Sequence, residues 1–255
     1  MSSFLKSTVA AAAIGLSIAA GAAPPAPALE APATVVLVHG AFADGSAWNR
    51  VVPRLQAKGL KVVSVQNPLT SLADDVAATR RVLDAQTGPV VLVGHSWGGV
   101  VISEAGQHER VKALVYVSAF APAEGQSVAD LSKGYAEPPG FKHLVADKEG
   151  FLTLTPEGVA KHFAQDLPAG ETKLMAVTQG PVRGANFEEK TSTAAWKTRP
   201  SWFVLSRQDH MIQPALQEAM AKTIGAKVVS LPTSHVPLLS RPKEVADAIA
   251  AAAAR

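Results

Sequence analysis

The segment Val90-Val91-Leu92-Val93-Gly94-His95-Ser96-Trp97-Gly98-Gly99 constrains this chain more than any other. Four aliphatic residues, mostly β-branched, predict a buried strand, and Val100-Val101-Ile102 beyond the glycines predicts a helix. A Gly-x-Ser-x-Gly match between a strand and a helix puts the serine on a sharp turn with its hydroxyl above a sheet. Gly94 and Gly98 suit such a turn, where backbone passes backbone with no room for a β-carbon. Without its flanks the motif is weak; with them, Ser96 is the candidate nucleophile.

A serine hydroxyl is a poor nucleophile at neutral pH, so it requires a base and a carboxylate to orient that base. Behind such a strand-to-helix serine, the carboxylate and then the histidine follow in chain order. Here Ser201-Trp202-Phe203-Val204-Leu205 predicts a strand that leads through Ser206-Arg207-Gln208 to Asp209. Lys227-Val228-Val229-Ser230-Leu231 predicts another, leading through Pro232-Thr233-Ser234 to His235. Catalytic groups collect at the carboxyl ends of strands in open α/β sheets, and Ser96, Asp209 and His235 each lie just past a separate one. Upstream, Thr34-Val35-Val36-Leu37-Val38 ends in His39-Gly40-Ala41-Phe42. A tetrahedral intermediate needs two donors for its oxyanion. The N–H groups of Trp97, directly after the serine, and of Ala41, after His-Gly, are the expected pair.

From Thr34 onward, strands and helices alternate, as in a parallel sheet flanked by helices. Trp48 to Lys58 predicts a helix closed by Gly59, and Lys61 to Val65 a strand. Ser71, with an acid three residues later, predicts a capping box opening a helix that runs to about Gln86. Val111 to Val117 predicts a further strand. From Ala121 to about Arg199 the rhythm breaks: no comparable β-rich run occurs, while Ser127–Lys133, Pro156–Gln165 and Gly170–Thr178 read as helical. Phe141, Phe151, Phe163, Leu167 and Met175 are available there to line or support a pocket.

These pieces resemble the α/β-hydrolase family: His39-Gly40-Ala41-Phe42 with Trp48 downstream, Gly94-His95-Ser96-Trp97-Gly98-Gly99, Asp209-His210-Met211-Ile212-Gln213-Pro214, and Ser234-His235. The chain looks most like the small branch of plant methylesterases, hydroxynitrile lyases and related bacterial esterases, from about Thr34 to the C-terminus. The resemblance implies an α/β-hydrolase fold: a mostly parallel, doubly wound sheet flanked by helices, with a helical cap inserted at about 121–199 of a 34–255 domain. It implies a serine esterase that cleaves small-molecule carboxylic esters through an acyl-enzyme and needs no cofactor or metal. Lactone opening, carbon–carbon bond hydrolysis, or a small-molecule receptor with weak hydrolase activity would fit the same site. Gly40 stands where the lyases resemble a Thr pattern, and Val236 follows His235 where they carry Lys, so the esterase side is favoured. Phe42 and Val236 are the expected substrate contacts.

Rival residues have simpler readings. His39 is expected to bond local backbone, and His95, inside the elbow, to be structural. His210 is read either as a pocket-rim contact or as a solvated or structural group. His108, His143 and His162 have no evident partners, and no histidine spacing suggests a metal. Some members of the family it resembles place the carboxylate after the strand that here ends Val117-Ser118-Ala119-Phe120; no acid sits at that turn and Glu124 comes several residues too late, which leaves Asp209.

With 47% hydrophobic and 18% charged residues, the chain is globular rather than disordered. The net charge of +3 is dispersed, without the basic stripe that nucleic-acid binding would need. There is no cysteine, which excludes a thiolate nucleophile. Lys6 precedes an apolar run from Val9 to Ala20, too short for a membrane span. Ala20-Gly21-Ala22-Ala23 fits a cleavage site, so residues 1–23 read as a secretory signal peptide and 24–33 as a linker. The expectation is an exported protein, periplasmic or secreted, with no membrane association in mature form.

Overall fold

Every residue of β1 (Thr34–Val38) is buried, as an aliphatic run without polar alternation must be when helices cover both faces of a sheet. The computed structural model describes Met1 and residues 33–254; apart from Met1 and Ala33, the leader and linker expectations fall outside these residues. After β1 come a single 3₁₀ turn at Gly45–Trp48 and α1 (Val52–Gln56). The helix predicted over Trp48–Lys58 is therefore broken. Pro53, which lacks an N–H, sits in the first turn of α1, and Gly59 closes the segment at φ +78°.

The chain continues through β2 (Lys61–Val65), α2 (Leu72–Asp84), β3 (Val90–His95), α3 (Gly98–Ala105) and β4 (Val111–Val117). Only half of the capping box at α2 forms. Ser71 Oγ accepts the Asp74 N–H at 3.0 Å, while the Asp74 carboxylate accepts the Thr70 hydroxyl at 2.7 Å. A complete box, Ser127 with Asp130, opens α4 (Val128–Ser132).

Between β4 and the next strand of the main sheet lies the cap. It holds α4, β5 (Leu144–Ala146), β6 (Phe151–Leu154), the short α5 (Pro156–Gly158) continuing into a π turn over Val159–Phe163, α6 (Ala169–Thr178) and β7 (Val182–Arg183). The helical cap expected at about 121–199 also carries strands, which the sequence reading did not foresee. β5, β6 and β7 form a three-stranded antiparallel sheet. Its strands are only two to four residues long, too short for alternation to register in the sequence.

The main sheet resumes with β8 (Ser201–Ser206), then α7 (Pro214–Thr223), β9 (Lys227–Leu231), α8 (Pro237–Ser240) and α9 (Pro242–Ala253). Its order is β2-β1-β3-β4-β8-β9, and all five pairings are parallel. The pairings Val38↔Gly94, His95↔Val117 and Val117↔Val204 align the carboxyl ends along one edge. The winding reverses between β1 and β3, and a crevice opens there beyond the strand ends.

Candidate active site

Ser96 occupies the turn between β3 and α3 at φ +52°, a left-handed conformation that non-glycine residues adopt only where the surroundings enforce it. The Ser96 N–H donates to the Val117 carbonyl at 3.2 Å, and its own carbonyl accepts the N–H groups of Gly99 and Phe120. Glycines permit the approach. A β-carbon on Gly98 would lie 2.5 Å from the Val38 carbonyl oxygen, and one on Gly40 would lie 2.7 Å from Ser96 Cβ. The β1 loop can therefore pass directly against the elbow.

The structure brings Asp209 and His235, 26 residues apart, into contact: His235 Nδ1–H donates to Asp209 Oδ2 at 2.7 Å with both side chains essentially inaccessible to solvent. That bond leaves Nε2 as the basic nitrogen of the neutral imidazole. Asp209 Oδ1 accepts the N–H groups of Met211 and Ile212, at 2.8 and 3.0 Å. Gln217 Nε2 donates to Oδ2 at 2.8 Å, and Gln217 Oε1 accepts the Ser206 N–H at 3.1 Å. Sequence reasoning missed Gln217. Its signal was a polar residue on the buried stripe of α7, between Leu216 and Met220. At the alternative carboxylate position stands Ser118, in a buried hydroxyl chain with Ser206 and Thr233.

The His235 ring lies between His95, at 4.9 Å between centroids, and Phe163, at 5.1 Å. Burial holds the His95 pKa well below its usual value, and the nearby imidazole of His235 acts in the same direction. Neutral His95 donates from Nε2 to the His235 carbonyl at 2.8 Å. His39, also held neutral by burial, donates from Nδ1 to the Gly40 carbonyl and accepts the Asn67 N–H at Nε2. Both histidines support the loops at the strand ends, as expected.

Ala41, Phe42, Ser96 and His235 line one cavity of about 30 Å³, walled by Phe120, Phe141, Phe163, Phe187, Met211 and Ile212. The N–H groups of Ala41 and Trp97, the expected oxyanion donors, have no acceptor among the described residues. Phe42, Phe141 and Phe163 line the cavity. Val236 does not. It is buried in the core as the chain turns into α8, with its N–H on Ser234 Oγ at 3.3 Å. Leu167 packs against the core and Phe151 lies in β6, both away from the cavity lining.

Three histidines read as partnerless have partners. His108 Nε2 lies 3.1 Å from Asp84. His143 stacks on His162 at 4.8 Å, and His162 Nδ1 lies 3.2 Å from His210 Nδ1, linking the cap to the loop after β8. Desolvation and the two neighbouring imidazoles lower the His162 pKa.

Trp97 is fixed from behind. Its Nε1–H donates to Asp75 Oδ2 at 2.7 Å, and Asp75 Oδ1 accepts the Leu69 N–H at 2.7 Å. Leu69, at φ +60°, in turn accepts the Arg183 N–H and Asn186 Nδ2 from the cap. Phe187 stands edge-on to Trp97 at 5.7 Å. Burial pushes the Asp75 carboxyl up to about 6 against the pull of its two donors, and Asp74 and Glu189 add to the rise.

Residues 35–248 match the profile of the Alpha/beta hydrolase family. The chain is 28% identical to a pyrethroid hydrolase of Sphingobium wenxiniae over 254 residues, covering 85% of this chain and 86% of the relative. It is 24% identical to Methylesterase 2 of Arabidopsis thaliana, covering 86% and 95%. Among solved structures, a pyrethroid hydrolase superposes with a TM-score of 0.77 at 26% identity, covering 87% of this chain and 98% of the other. Polyneuridine aldehyde esterase superposes at 0.74 and 21% identity, covering 87% and 99%, and shares the fold. With the elbow, the strand-end loops and the inserted cap all in place, the chain belongs to the alpha/beta hydrolase family, on the branch that holds the methylesterases and their bacterial esterase relatives.

Proposed function

We propose that this protein hydrolyses small-molecule carboxylic esters with Ser96 as nucleophile, His235 as general base and acid, and Asp209 as the carboxylate that orients His235. One observation carries the reading. A serine at φ +52° and a histidine whose Nδ1 is committed to a buried carboxylate at 2.7 Å face the same apolar cavity. The relatives named as a pyrethroid hydrolase and a methylesterase support the same reading.

In the proposed mechanism His235 Nε2 takes the Ser96 proton as Oγ bonds to the carbonyl carbon. The carbonyl oxygen becomes an oxyanion held by the N–H groups of Ala41 and Trp97. Collapse expels the alkoxide, which takes the proton from His235 and leaves as the alcohol. A water then gives one proton to His235 and its oxygen to the acyl carbon. The second tetrahedral species collapses to the acid while the proton returns to Ser96. Asp209 keeps Nδ1 protonated and stabilises the imidazolium in both halves.

The test is hydrolysis of p-nitrophenyl esters from acetate to octanoate by wild type, Ser96→Ala and His235→Ala. Each variant is expected to lose about 10⁴–10⁶ in kcat, because the three residues act as a unit. Wild-type rates in either variant would overturn the roles assigned here. Lactone or carbon–carbon substrates turned over in place of all esters would replace the reaction while keeping the site. We also propose that the protein works after export, on the leader pattern of residues 1–23.

A further inference from the structure

A cavity of about 30 Å³ has room for a water molecule and not for an ester. Any substrate that reaches Ser96 must therefore displace part of the wall. Phe42 is the wall shared with a second pocket. That pocket, of about 230 Å³, is bounded by the loop after β1, by Leu174 and Met175 of α6, and by Leu239. Its lining combines apolar Phe42, Leu174, Met175 and Leu239 with polar Asp44, Asn49 and Gln179. Arg50, also in the lining, donates to Glu171 and to the Leu239 carbonyl, both at 2.8 Å.

Phe42 is also placed to move. It sits in the left-handed region at φ +58°, directly after Ala41, so its backbone is held while its ring stands at the boundary between the two spaces. The ring packs edge-on against Phe163, 6.3 Å away, the same ring that stands against His235. A rotation at χ1 toward α6 would open the catalytic cavity into existing space rather than into packed core, where displacement costs more.

We propose that the pocket between the β1 loop and α6 is a second subsite of this active centre. It takes an apolar arm of the ester, and Phe42 is the gate between it and Ser96. The proposal rests on the ester-hydrolase reading above and adds to it the part of the molecule that sets substrate length. Such a subsite favours a flexible chain or a single ring attached to the ester, because Phe42, Leu174, Met175 and Leu239 offer apolar contact.

Leu174 lines this pocket and is 62% exposed, so Leu174→Trp fills the pocket without disturbing the core. Val177 on the same helix is 79% exposed and lines neither space, which makes Val177→Trp the control. The readout is the ratio of kcat/KM for a six-carbon arm to that for a two-carbon arm. It is taken in an acyl series (p-nitrophenyl acetate and hexanoate) and in an alcohol series (ethyl and hexyl acetate, by proton release).

Leu174→Trp is expected to lower the ratio at least ten-fold in one series, chiefly through KM, and that series identifies the arm. Val177→Trp is expected to keep the wild-type ratio. Phe42→Ala, which joins the two spaces, is expected to raise the relative rate on a branched arm such as pivalate at least ten-fold. Ratios unchanged in both series for Leu174→Trp, with esters still hydrolysed, would overturn the subsite and leave the reaction standing. A folded wild type that hydrolyses no ester of either series would overturn both.

Discussion

Gln217 has the most to do with Asp209 of any residue outside the motifs. Asp209 Oδ2 holds His235 only while its remaining lone pairs are satisfied, and Gln217 supplies one donor there and an acceptor for the Ser206 N–H. Gln217→Leu leaves both groups short of a partner in the core. We expect a stability loss of about 1–3 kcal/mol by thermal melting, with kcat falling about 10–100-fold and KM little changed, since the support lies one residue behind His235, the proposed base. At Gly40 the constraint is space: a β-carbon would lie 2.7 Å from Ser96 Cβ and 2.9 Å from the His95 carbonyl oxygen. Gly40→Ala should push Ala41 off its proposed oxyanion position and cost about 10²-fold in kcat, the order seen when one such donor is lost. Ser96, Asp209 and His235 were legible because each ends a strong β run. Gln217 was not, because a glutamine in a helix carries no chemistry until the fold sets it against a carboxylate. Val236 misled for the reverse reason: its place after the histidine says nothing of where the next turn sends its side chain.

At the scale of elements, the main strands could be read because they are continuous aliphatic runs, and α2 because Ser71 caps it. The cap's sheet could not, because it depends on pairing around the Asp147–Gly150 turn, where Asp147 Oδ1 accepts the Glu149 and Phe151 N–H groups. α2 carries a further consequence through Asp75. Its folded pKa, about 6, exceeds the ordinary 3.8, so the folded state binds this proton more tightly. The associated stability is whole below about pH 4, falls as the pH rises, and is gone above about pH 6, a change of up to about 3 kcal/mol. Asp75→Asn lacks this term. The stability advantage of wild type over the variant should therefore shrink as pH rises from 4 to 6, measured by denaturant melts of both proteins. A gap constant across that range would remove Asp75 from the titration.

At the scale of the whole molecule, the cap-to-core connections include three hydrogen bonds to the loops after β8 and β9. Gln165 Nε2 donates to the Gln208 carbonyl at 2.6 Å, Gly140 donates to the His210 carbonyl at 3.0 Å, and Asp166 accepts the Ser234 N–H at 3.0 Å. All three end within one residue of Asp209 or His235, so the cap braces the loops that carry these residues as well as covering them. Asp166→Ala should speed hydrogen exchange at the amides of Ser234–Val236 and lower kcat several-fold, while the amides of β3 and β4 keep wild-type protection. The fold class was visible in the order of the strands, but this bracing was not, since it joins segments dozens of residues apart.

The cap leaves the main sheet after β4 and returns at β8, and those two strands are hydrogen-bonded neighbours, Leu114 beside Ser201. The insertion therefore behaves as a detachable module. Its departure and return points belong to one rigid strand pair, and lengthening or exchanging it costs only the slowly growing entropy of a longer loop. Proteins built this way can change what they accept by replacing one contiguous stretch of sequence, provided the new stretch renews the hydrogen bonds that Gly140, Gln165 and Asp166 make to the loops carrying Asp209 and His235.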